Sequence, residues 1–459
     1  MELKYEKKDV YNTLNEDDKI KANNYAIDYM DFLNKGKTEY LCVEEALKML
    51  NENGFCDINE KENLKAGDKV YFVNKEKSIF ASVIGNAPLK DGLNIIGAHI
   101  DSPRLDLKPM PLIERANIAL LKTQYYGGIK KYQWLSIPLA MHGVVYNENG
   151  DKIKISVGED DDFCFTIADL LPHLAKDQMK ANANEFIDPE KMSVIFGNIK
   201  EKDVKKDAVK SNILKILNEK YGIKEIDFSR SDISFVPAFK AKFIGLDRSM
   251  IGSYGQDDRV CAYATIRAML DALKEHTILP KTIVAMIVDK EEIGSTGNTS
   301  MSSLAFDMFL NKLIKKTNSN VDRLEVYYNS KMLSADVTAG VNPDYTEVSD
   351  IQNANIIGSG VAIEKYGGGS GKSMASEASA RFMSEVMSIF DKKNVVYQMG
   401  TLGKIGKGGG GTIAYILADK GVDVVDCGTA VLAMHSPFEI TSKYDVYMTY
   451  LAYKAFFKE

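Results

Sequence analysis

Acidic residues and histidines follow several apolar runs of this chain, and both residue types are common ligands of divalent metals. Two adjacent glutamates, Glu291 and Glu292, come one residue after the run TIVAMIVD at 282–289. A short run rich in β-branched residues predicts a buried strand, so the glutamates stand just past a strand end and beside a glycine. Two like charges in that position repel each other unless a cation lies nearby.

Four other stretches have the same arrangement. They are IIGAHIDSP with His99 and Asp101, GSYGQDDRV with Asp257 and Asp258, LSADVTAG with Asp336, and VLAMHSPFE with His435. In an open α/β sheet, ligands bind outside the carboxyl ends of the strands. Two histidines with several carboxylates suit Zn²⁺, Mn²⁺ or Co²⁺, and a carboxylate shared by two ions gives a two-metal hydrolytic site. One glutamate of the pair would then ligate a metal, and the other would act as a general base.

Each stretch has an ordinary structural explanation when it is taken alone. Paired glutamates after a strand can be solvated loop charges, GQDD can be a helix N-cap, and Asp336 can form a turn. A single histidine is often a surface or hydrogen-bonded residue. The joint occurrence favours the metal site, because the chain has only five histidines and two of them follow strands beside carboxylates.

The composition excludes several classes of protein. A length of 459 residues is enough for two or three domains. The net charge of −6 gives no sign of nucleic acid binding, and no apolar run reaches the roughly 18 residues of a membrane helix, so we expect neither partner. The polar N-terminus lacks the apolar segment of a signal peptide. The five cysteines form no CxxC pair, which favours reduced thiols and a cytoplasmic protein.

The predicted elements indicate an α/β fold with an insertion. Apolar residues at helical spacing predict that residues 1–50 are helical with a glycine break near Gly36, and strands are predicted at 69–75, 78–85 and 93–100. From about 107 to 245, alternating runs such as HGVVYNENGDKIKISVGE predict antiparallel hairpins with NENGD as a turn. After 246, strands alternate again with helices, which predicts a parallel or mixed sheet. We therefore expect a catalytic domain made of residues 1–106 and 246–459, and a β-rich insertion at 107–245.

These stretches, in this order, resemble the M18 family of metallo-aminopeptidases, the aspartyl aminopeptidase group. The resemblance extends from about residue 20 to the C-terminus. It rests on GAHIDSPRLDLKP, YYGG followed by W and IPLAMHG, GQDDRVCA, DKEEIGSTG, SADVTAGVNP, GGGGTIAYILA and MHSPFEITSKYDV. It implies a zinc-peptidase α/β sandwich domain with an inserted β-rich dimerisation domain, and assembly of the homo-oligomer as a tetrahedral dodecamer. The implied substrates are peptides with a free N-terminus.

The resemblance also gives a role to each candidate residue. Glu291 matches the general base that activates water, and Asp101 matches the carboxylate that orients a ligating imidazole. His142, in PLAMHG, matches a histidine that reaches a neighbouring subunit's active site and stabilises the developing oxyanion; the alternative is a buried histidine of the hairpin. Asp258 stands next to Asp257, which matches a carboxylate that bridges two ions, and it has no assigned role. The implied ligands of two divalent ions, zinc with manganese or cobalt as alternatives, are His99, Asp257, Glu292, Asp336 and His435, with Asp257 as the shared carboxylate.

Lys365 bears on which residue is removed. In GVAIEKYGGGSGKS it matches a lysine in the pocket for the first side chain of the substrate, which implies a preference for N-terminal Asp or Glu. The alternative is a surface lysine that Glu364 neutralises. The segment TQYYGGIKKYQWLS departs from relatives near the substrate entrance, because it has two lysines where some of them have bulkier or aromatic residues.

Two other functions stay open from the sequence. One is a related dinuclear amide hydrolase, a deacylase acting on N-acyl amino acids. The other is a non-catalytic scaffold that keeps the same fold.

Overall fold

The computed structural model describes residues 3–275, 278–368, 372, 375–407 and 409–459. The chain forms two compact units. The first contains residues 1–101, 241–434 and 438–459, and the second contains residues 102–240 and 435–437. The limits of the second unit at 102 and 240 stand beside the predicted limits of the insertion, 107 and 245.

A nine-stranded sheet forms the centre of the first unit. Its spatial order is β1-β2-β3-β13-β4-β14-β18-β16-β17. The strands are β1 Cys56–Asp57, β2 Lys69–Asn74, β3 Ser78–Val83, β4 Asn94–His99, β13 Ile283–Val288, β14 Lys331–Ser334, β16 Val361–Glu364, β17 Tyr397–Gly400 and β18 Asp423–Gly428. The four central strands β13, β4, β14 and β18 are parallel, and β3 and β16 pair antiparallel to this group. The carboxyl ends of the central strands therefore meet at one edge of the sheet.

Helices cover both faces of this sheet, because its buried strands are apolar on both sides. Ile95 packs in one hydrophobic cluster with Val284, whereas the next residue, Ile96, packs in the other cluster with Ile283. One cluster contains residues of α2, α3, α5, α8 and α10, and the other contains residues of α6, α7 and α9. The helices of this unit are α1 Val10–Thr13, α2 Glu16–Lys35, α3 Glu39–Glu52, α5 Gln256–Glu275, α6 Ala305–Lys316, α7 Arg323–Asn329, α8 Ala380–Lys392, α9 Ala414–Ala418 and α10 Lys443–Phe457.

The N-terminal helices α1, α2 and α3 lie almost wholly within the segment that the sequence predicts to be helical. The Asn15 side chain accepts a hydrogen bond from the Asp18 N–H at the start of α2, and Thr38 caps α3 in the same way. Gly36 follows the last residue of α2, which confirms the predicted break.

A smaller sheet of five strands completes the first unit. Its spatial order is β11-β12-β20-β19-β15. The strands are β11 Lys242–Ile244, β12 Met250–Ser253, β15 Thr338–Ala339, β19 Ala430–Leu432 and β20 Glu439–Ser442. This second sheet is not predictable from the sequence, because its short strands come from three distant parts of the chain.

The second unit is built on a six-stranded antiparallel sheet with one helix. The spatial order is β8-β7-β10-β5-β6-β9. These elements are β5 Arg104–Arg115, β6 Ile118–Tyr126, β7 Leu139–Tyr146, β8 Lys152–Val157, β9 Val194–Gly197, β10 Ser231–Pro237 and α4 Ala208–Tyr221. Tyr146 pairs with Lys152 across the turn, and the Asn147 side chain accepts hydrogen bonds from the N–H groups of Asn149 and Asp151. The predicted hairpin with the NENGD turn is thereby confirmed.

None of the helices in the described ranges is both long enough and apolar enough to cross a lipid bilayer.

Candidate active site

The candidate ligands of the first unit lie at the carboxyl ends of its parallel strands. His99 is the last residue of β4 and pairs in register with Val288, the last residue of β13. Glu291 and Glu292 follow β13 after a short turn, and Asp336 follows β14. The sheet therefore brings together side chains that are up to 237 positions apart in the chain, as the sequence analysis expected of a parallel sheet.

His99 stands at the centre of a cluster of carboxylates. Its Nε2 lies 3.1 Å from Asp257 Oδ1, 3.7 Å from Asp336 Oδ1 and 3.9 Å from Glu291 Oε2. One ligand atom each from His99, Asp257 and Asp336 lies within 4.8 Å of the others. A buried imidazole nitrogen facing carboxylate oxygens is a donor set that suits zinc, so these residues fit the metal that the resemblance implies.

Asp257 also has a second carboxylate beside it. A ligand oxygen of Glu292 lies within 4.8 Å of one from Asp257. Asp257 is thus close to Glu292 as well as to His99 and Asp336, a position compatible with a carboxylate shared between two ions.

Asp101 holds both the histidine and the glutamate turn. Its carbonyl oxygen lies 3.0 Å from His99 Nδ1 and accepts a hydrogen bond from it, which leaves Nε2 free to face the cluster. Its carboxylate accepts hydrogen bonds from the backbone N–H groups of Glu291 and Glu292, each at 3.1 Å. Lys290, which opens this turn, has a left-handed φ of 69°. One fully buried side chain thus fixes the backbone of both glutamates.

Burial and mutual repulsion dominate the electrostatics of the cluster. Desolvation, together with the nearby carboxylates of Asp336, Asp257 and Asp101, raises the pKa of Glu291 to about 8, although His99 opposes the shift. Burial alone would lower the pKa of His99, but hydrogen bonds to Asp101, Asp257 and Asp336 raise it well above its usual value. A divalent cation between these donors would offset the same repulsion.

Asp258 supports the cluster from behind. Its Oδ2 accepts a hydrogen bond from the backbone N–H of His99 at 3.2 Å, and the residue is fully buried. Desolvation is the main cause that raises the pKa of this carboxyl group well above its usual value. The geometry gives Asp258 a structural contact to the ligand strand, a role that the sequence left open.

Two predicted site residues belong to the second unit. His435 has a left-handed φ of 65°, and its Nδ1 lies 2.8 Å from the carbonyl oxygen of Gly128. Because a carbonyl can only accept, Nδ1 donates this hydrogen bond, and Nε2 is the ring atom that could ligate a metal. His142, on β7, is buried between two side chains: its Nδ1 is 2.9 Å from Ser156 Oγ, and its Nε2 is 3.1 Å from Glu159 Oε1.

Lys365 lies outside the carboxylate cluster in the described contacts. It is exposed, follows β16, and borders a surface groove with Met383 and Met387 of α8. Its carbonyl accepts a hydrogen bond from the Ala378 N–H at 2.7 Å. Because β16 is antiparallel to β18, its carboxyl end points away from the edge where His99 and Asp336 lie. The pocket role of Lys365 therefore rests on the resemblance.

Comparison with known proteins decides the family. The family model for the aminopeptidase I zinc metalloproteases, M18, matches residues 32–457. The chain belongs to the M18 family. It is therefore a metallo-aminopeptidase, which removes the non-catalytic scaffold from the alternatives.

The similarity of this M18 chain to its relatives covers nearly its whole length. It is 45% identical over 453 residues to a protein of Borrelia garinii subsp. bavariensis named "Probable M18 family aminopeptidase 1", covering 97% of this chain and 98% of the relative. The crystal structure of an M18 aminopeptidase from Thermotoga maritima aligns with a TM-score of 0.95 and 44% identity, covering 99% of this chain and all of the other. The predicted α/β class is thereby confirmed. The S. cerevisiae mApe1 dodecamer shares the fold, with a TM-score of 0.76 at 20% identity over 95% of this chain and 96% of that one.

Sequence reasoning missed one buried cation in this M18 site. Arg259 is 1% exposed, and its Nε donates to the carbonyl oxygen of Ile100 at 3.3 Å, between the two site residues of that strand end. Its Nη2 donates to the Lys37 carbonyl oxygen at 3.2 Å, and its guanidinium lies over the Tyr254 ring. The sequence showed only that Arg259 comes directly after the two aspartates, a place that also suits an arginine on a helix surface.

Proposed function

We propose that this M18 enzyme removes the N-terminal residue of peptides that have a free amine, using two divalent ions and a glutamate base, with a preference for Asp or Glu. The observation that carries the proposal is the buried cluster of His99, Asp257 and Asp336 with the Glu291 carboxylate beside it. Carboxylate oxygens of Asp257, Asp336 and Glu291 lie 3.1, 3.7 and 3.9 Å from His99 Nε2, in that order.

Five residues would hold the ions, most simply as zinc, with manganese or cobalt as alternatives. When bound, the ions lower the pKa of water and polarise the scissile carbonyl. Asp257 would be shared, His99 and Asp336 would serve one ion, and Glu292 and His435 would serve the other. The hydrogen bonds from Nδ1 of His99 and of His435 to backbone carbonyl oxygens support this, because the ring atom that would ligate an ion is then Nε2 in each residue.

Glu291 would move the proton. Its carboxylate accepts the proton of the attacking water and passes it to the leaving amine. Asp101 would keep Glu291 and the imidazole of His99 oriented during this transfer, since it bonds to both. His142 would stabilise the oxyanion in a neighbouring subunit, a role that follows from the resemblance.

The second unit would be the dimerisation domain of a homo-oligomer, in the form of a tetrahedral dodecamer. The support is the likeness of the fold to the S. cerevisiae mApe1 dodecamer together with the sequence resemblance. A cytoplasmic location is supported by the five cysteines, all of which are free thiols.

The preference for acidic residues would come from Lys365. A lysine ammonium pairs with a carboxylate side chain, and such a charge-assisted contact contributes roughly 1.5–3 kcal/mol, or about tenfold to a hundredfold in kcat/KM. Lys365→Ala should remove the preference and leave Leu substrates unchanged. Wild-type enzyme that favours Leu- or Lys-nitroanilide over Glu- and Asp-nitroanilide contradicts the acidic preference alone.

The reaction itself is tested with matched substrates. One peptide is offered with a free N-terminus and again with that amine acetylated, and N-acetyl amino acids are offered alongside. We expect release of the first residue from the free peptide only. Hydrolysis of the N-acetyl amino acids with no release from the free peptide would instead identify a deacylase.

A further inference from the structure

A buried glutamate that the proposed reaction does not use lies directly behind Asp257. Glu439 is the first residue of β20 and is 1% exposed. Its Oε2 accepts a hydrogen bond from the backbone N–H of Asp257 at 3.1 Å. Burying a carboxylate costs free energy, so the presence of a glutamate at this buried position needs an explanation.

Gln256 holds that glutamate in place. The Gln256 side chain is fully buried, and its Nε2 donates to the carbonyl oxygens of Glu439 at 2.7 Å and Ile251 at 3.1 Å. Its Oε1 accepts a hydrogen bond from the Tyr29 hydroxyl at 3.4 Å. Residues from α2, β12 and β20 are thus tied to the segment that carries Asp257.

The main chain at Asp257 depends on support of this kind. Asp257 and Asp258 lie in the first turn of α5 but have non-helical dihedral angles, with φ −79° and ψ 110° at Asp257. An N–H at the start of a helix has no partner inside the helix, and Glu439 supplies one here. Because the Asp257 carboxylate lies 3.1 Å from His99 Nε2, a shift of this backbone would move an oxygen of the cluster.

We propose that Glu439 is a positioning residue of the metal centre. It fixes the main chain of Asp257, and its negative charge adds to the potential that attracts a divalent cation. Such outer partners of metal ligands typically alter metal affinity by about 10- to 100-fold. The inference rests on the metal centre proposed above and names a further residue on which its affinity depends.

The test measures zinc affinity of the metal-free full-length protein by competition with a chromophoric chelator. Glu439→Gln keeps the shape of the side chain and removes its charge, and we expect it to weaken zinc binding by about 10- to 100-fold. The matched control is Asp445→Asn. Asp445 is also fully buried, and its carboxylate accepts the N–H groups of Gly358 and Gly360 at 2.6 and 2.7 Å. The control should bind zinc within about threefold of wild type, a margin set by ordinary variation between mutants.

Each outcome decides one point. Wild-type zinc affinity in folded Glu439→Gln overturns the proposal, and so does an equal loss in Asp445→Asn. Should Glu439→Gln fail to fold, Gln256→Met carries the test, because it removes the hydrogen bonds that hold Glu439; unchanged zinc affinity there is equally adverse. His99→Ala distinguishes failure of the Glu439 proposal from failure of the proposed metal centre. Zinc binding that is unchanged in His99→Ala would contradict the assignment of the metal centre rather than the role of Glu439.

Discussion

At the scale of single residues, Asp101 connects the candidate ligand His99 to the backbone of the two adjacent glutamates. Its two carboxylate oxygens hold the N–H groups of Glu291 and Glu292, and its carbonyl holds the imidazole of His99. The sequence indicated only the contact to His99, because that residue is two positions away. The contact to the glutamates depends on the pairing of β4 with β13, and no local pattern records which strands become neighbours.

Substitution of Glu291 and substitution of Glu292 should have different effects on activity and on metal content. Glu291→Gln removes a proton acceptor and should lower kcat by roughly 10²- to 10⁴-fold while metal content stays near that of wild type. Glu292→Gln is the matched control, and it should lose bound metal as well as activity. Steady-state kinetics with elemental analysis of both variants measures this. Wild-type turnover in Glu291→Gln would show that the base is another residue.

Asp101→Asn tests whether the hydrogen bonds of Asp101 orient the glutamates and His99. The amide has one acceptor oxygen instead of two, so one glutamate N–H loses its partner and meets an NH₂ group. We expect a loss of about 10- to 100-fold in metal affinity or in kcat/KM. Equilibrium zinc titration and initial rates give both values, and a variant unchanged in each would mean that Asp101 does not orient the site.

At the scale of elements, apolar runs located the strands but not their order. The run at 282–289 became β13 and the run at 93–100 became β4, close to the predicted bounds. The second sheet was not predictable, since β15, with two residues, and β19, with three, are too short to give a periodic pattern. The site needs both sheets, because β20 of the smaller sheet begins with the glutamate that supports Asp257.

The buried carboxylate of Asp445, in the first turn of α10, should make the stability of the fold depend on pH. Desolvation raises the pKa of Asp445 to about 7, although hydrogen bonds from Gly358 and Gly360 oppose the shift. The folded state then binds more protons than the unfolded state between about pH 4 and 7, so this group makes the protein less stable as pH rises through that window.

Asp445→Asn should therefore flatten the pH dependence of unfolding. The difference in unfolding free energy, wild type minus variant, should fall by an amount on the order of a few kcal/mol between pH 4 and 7. Urea melts of both proteins in the same buffers give this difference. A difference that rises or stays level with pH contradicts the burial argument.

At the scale of the whole molecule, the chain divides its predicted site residues between two units. His142 and His435 belong to the second unit, whereas the other predicted site residues belong to the first: His99, Asp101, Asp257, Glu291, Glu292, Asp336 and Lys365. The two-unit organisation was predicted from a change in hydrophobic pattern along the chain, because antiparallel hairpins and alternating helices and strands have different periodicities. Assembly into an oligomer has no such local signature.

His142 tests whether subunits share active sites. His142→Ala should lower kcat without changing metal content or assembly. Mixing it with Glu291→Gln protein after dissociation and reassembly should restore part of the activity, because some sites then receive both intact residues. Absence of recovery with demonstrated subunit exchange would mean that His142 acts within its own subunit or only structurally.

The most direct test of the two-metal centre is a titration of metal-free enzyme with zinc, followed by both metal content and hydrolysis of a peptide with a free N-terminus. We expect no activity in the metal-free protein and a rise in activity that reaches its plateau at two ions per chain. Manganese and cobalt should restore activity to the same protein. Full activity in protein verified to be metal-free, or a plateau with no bound ion, would contradict the account.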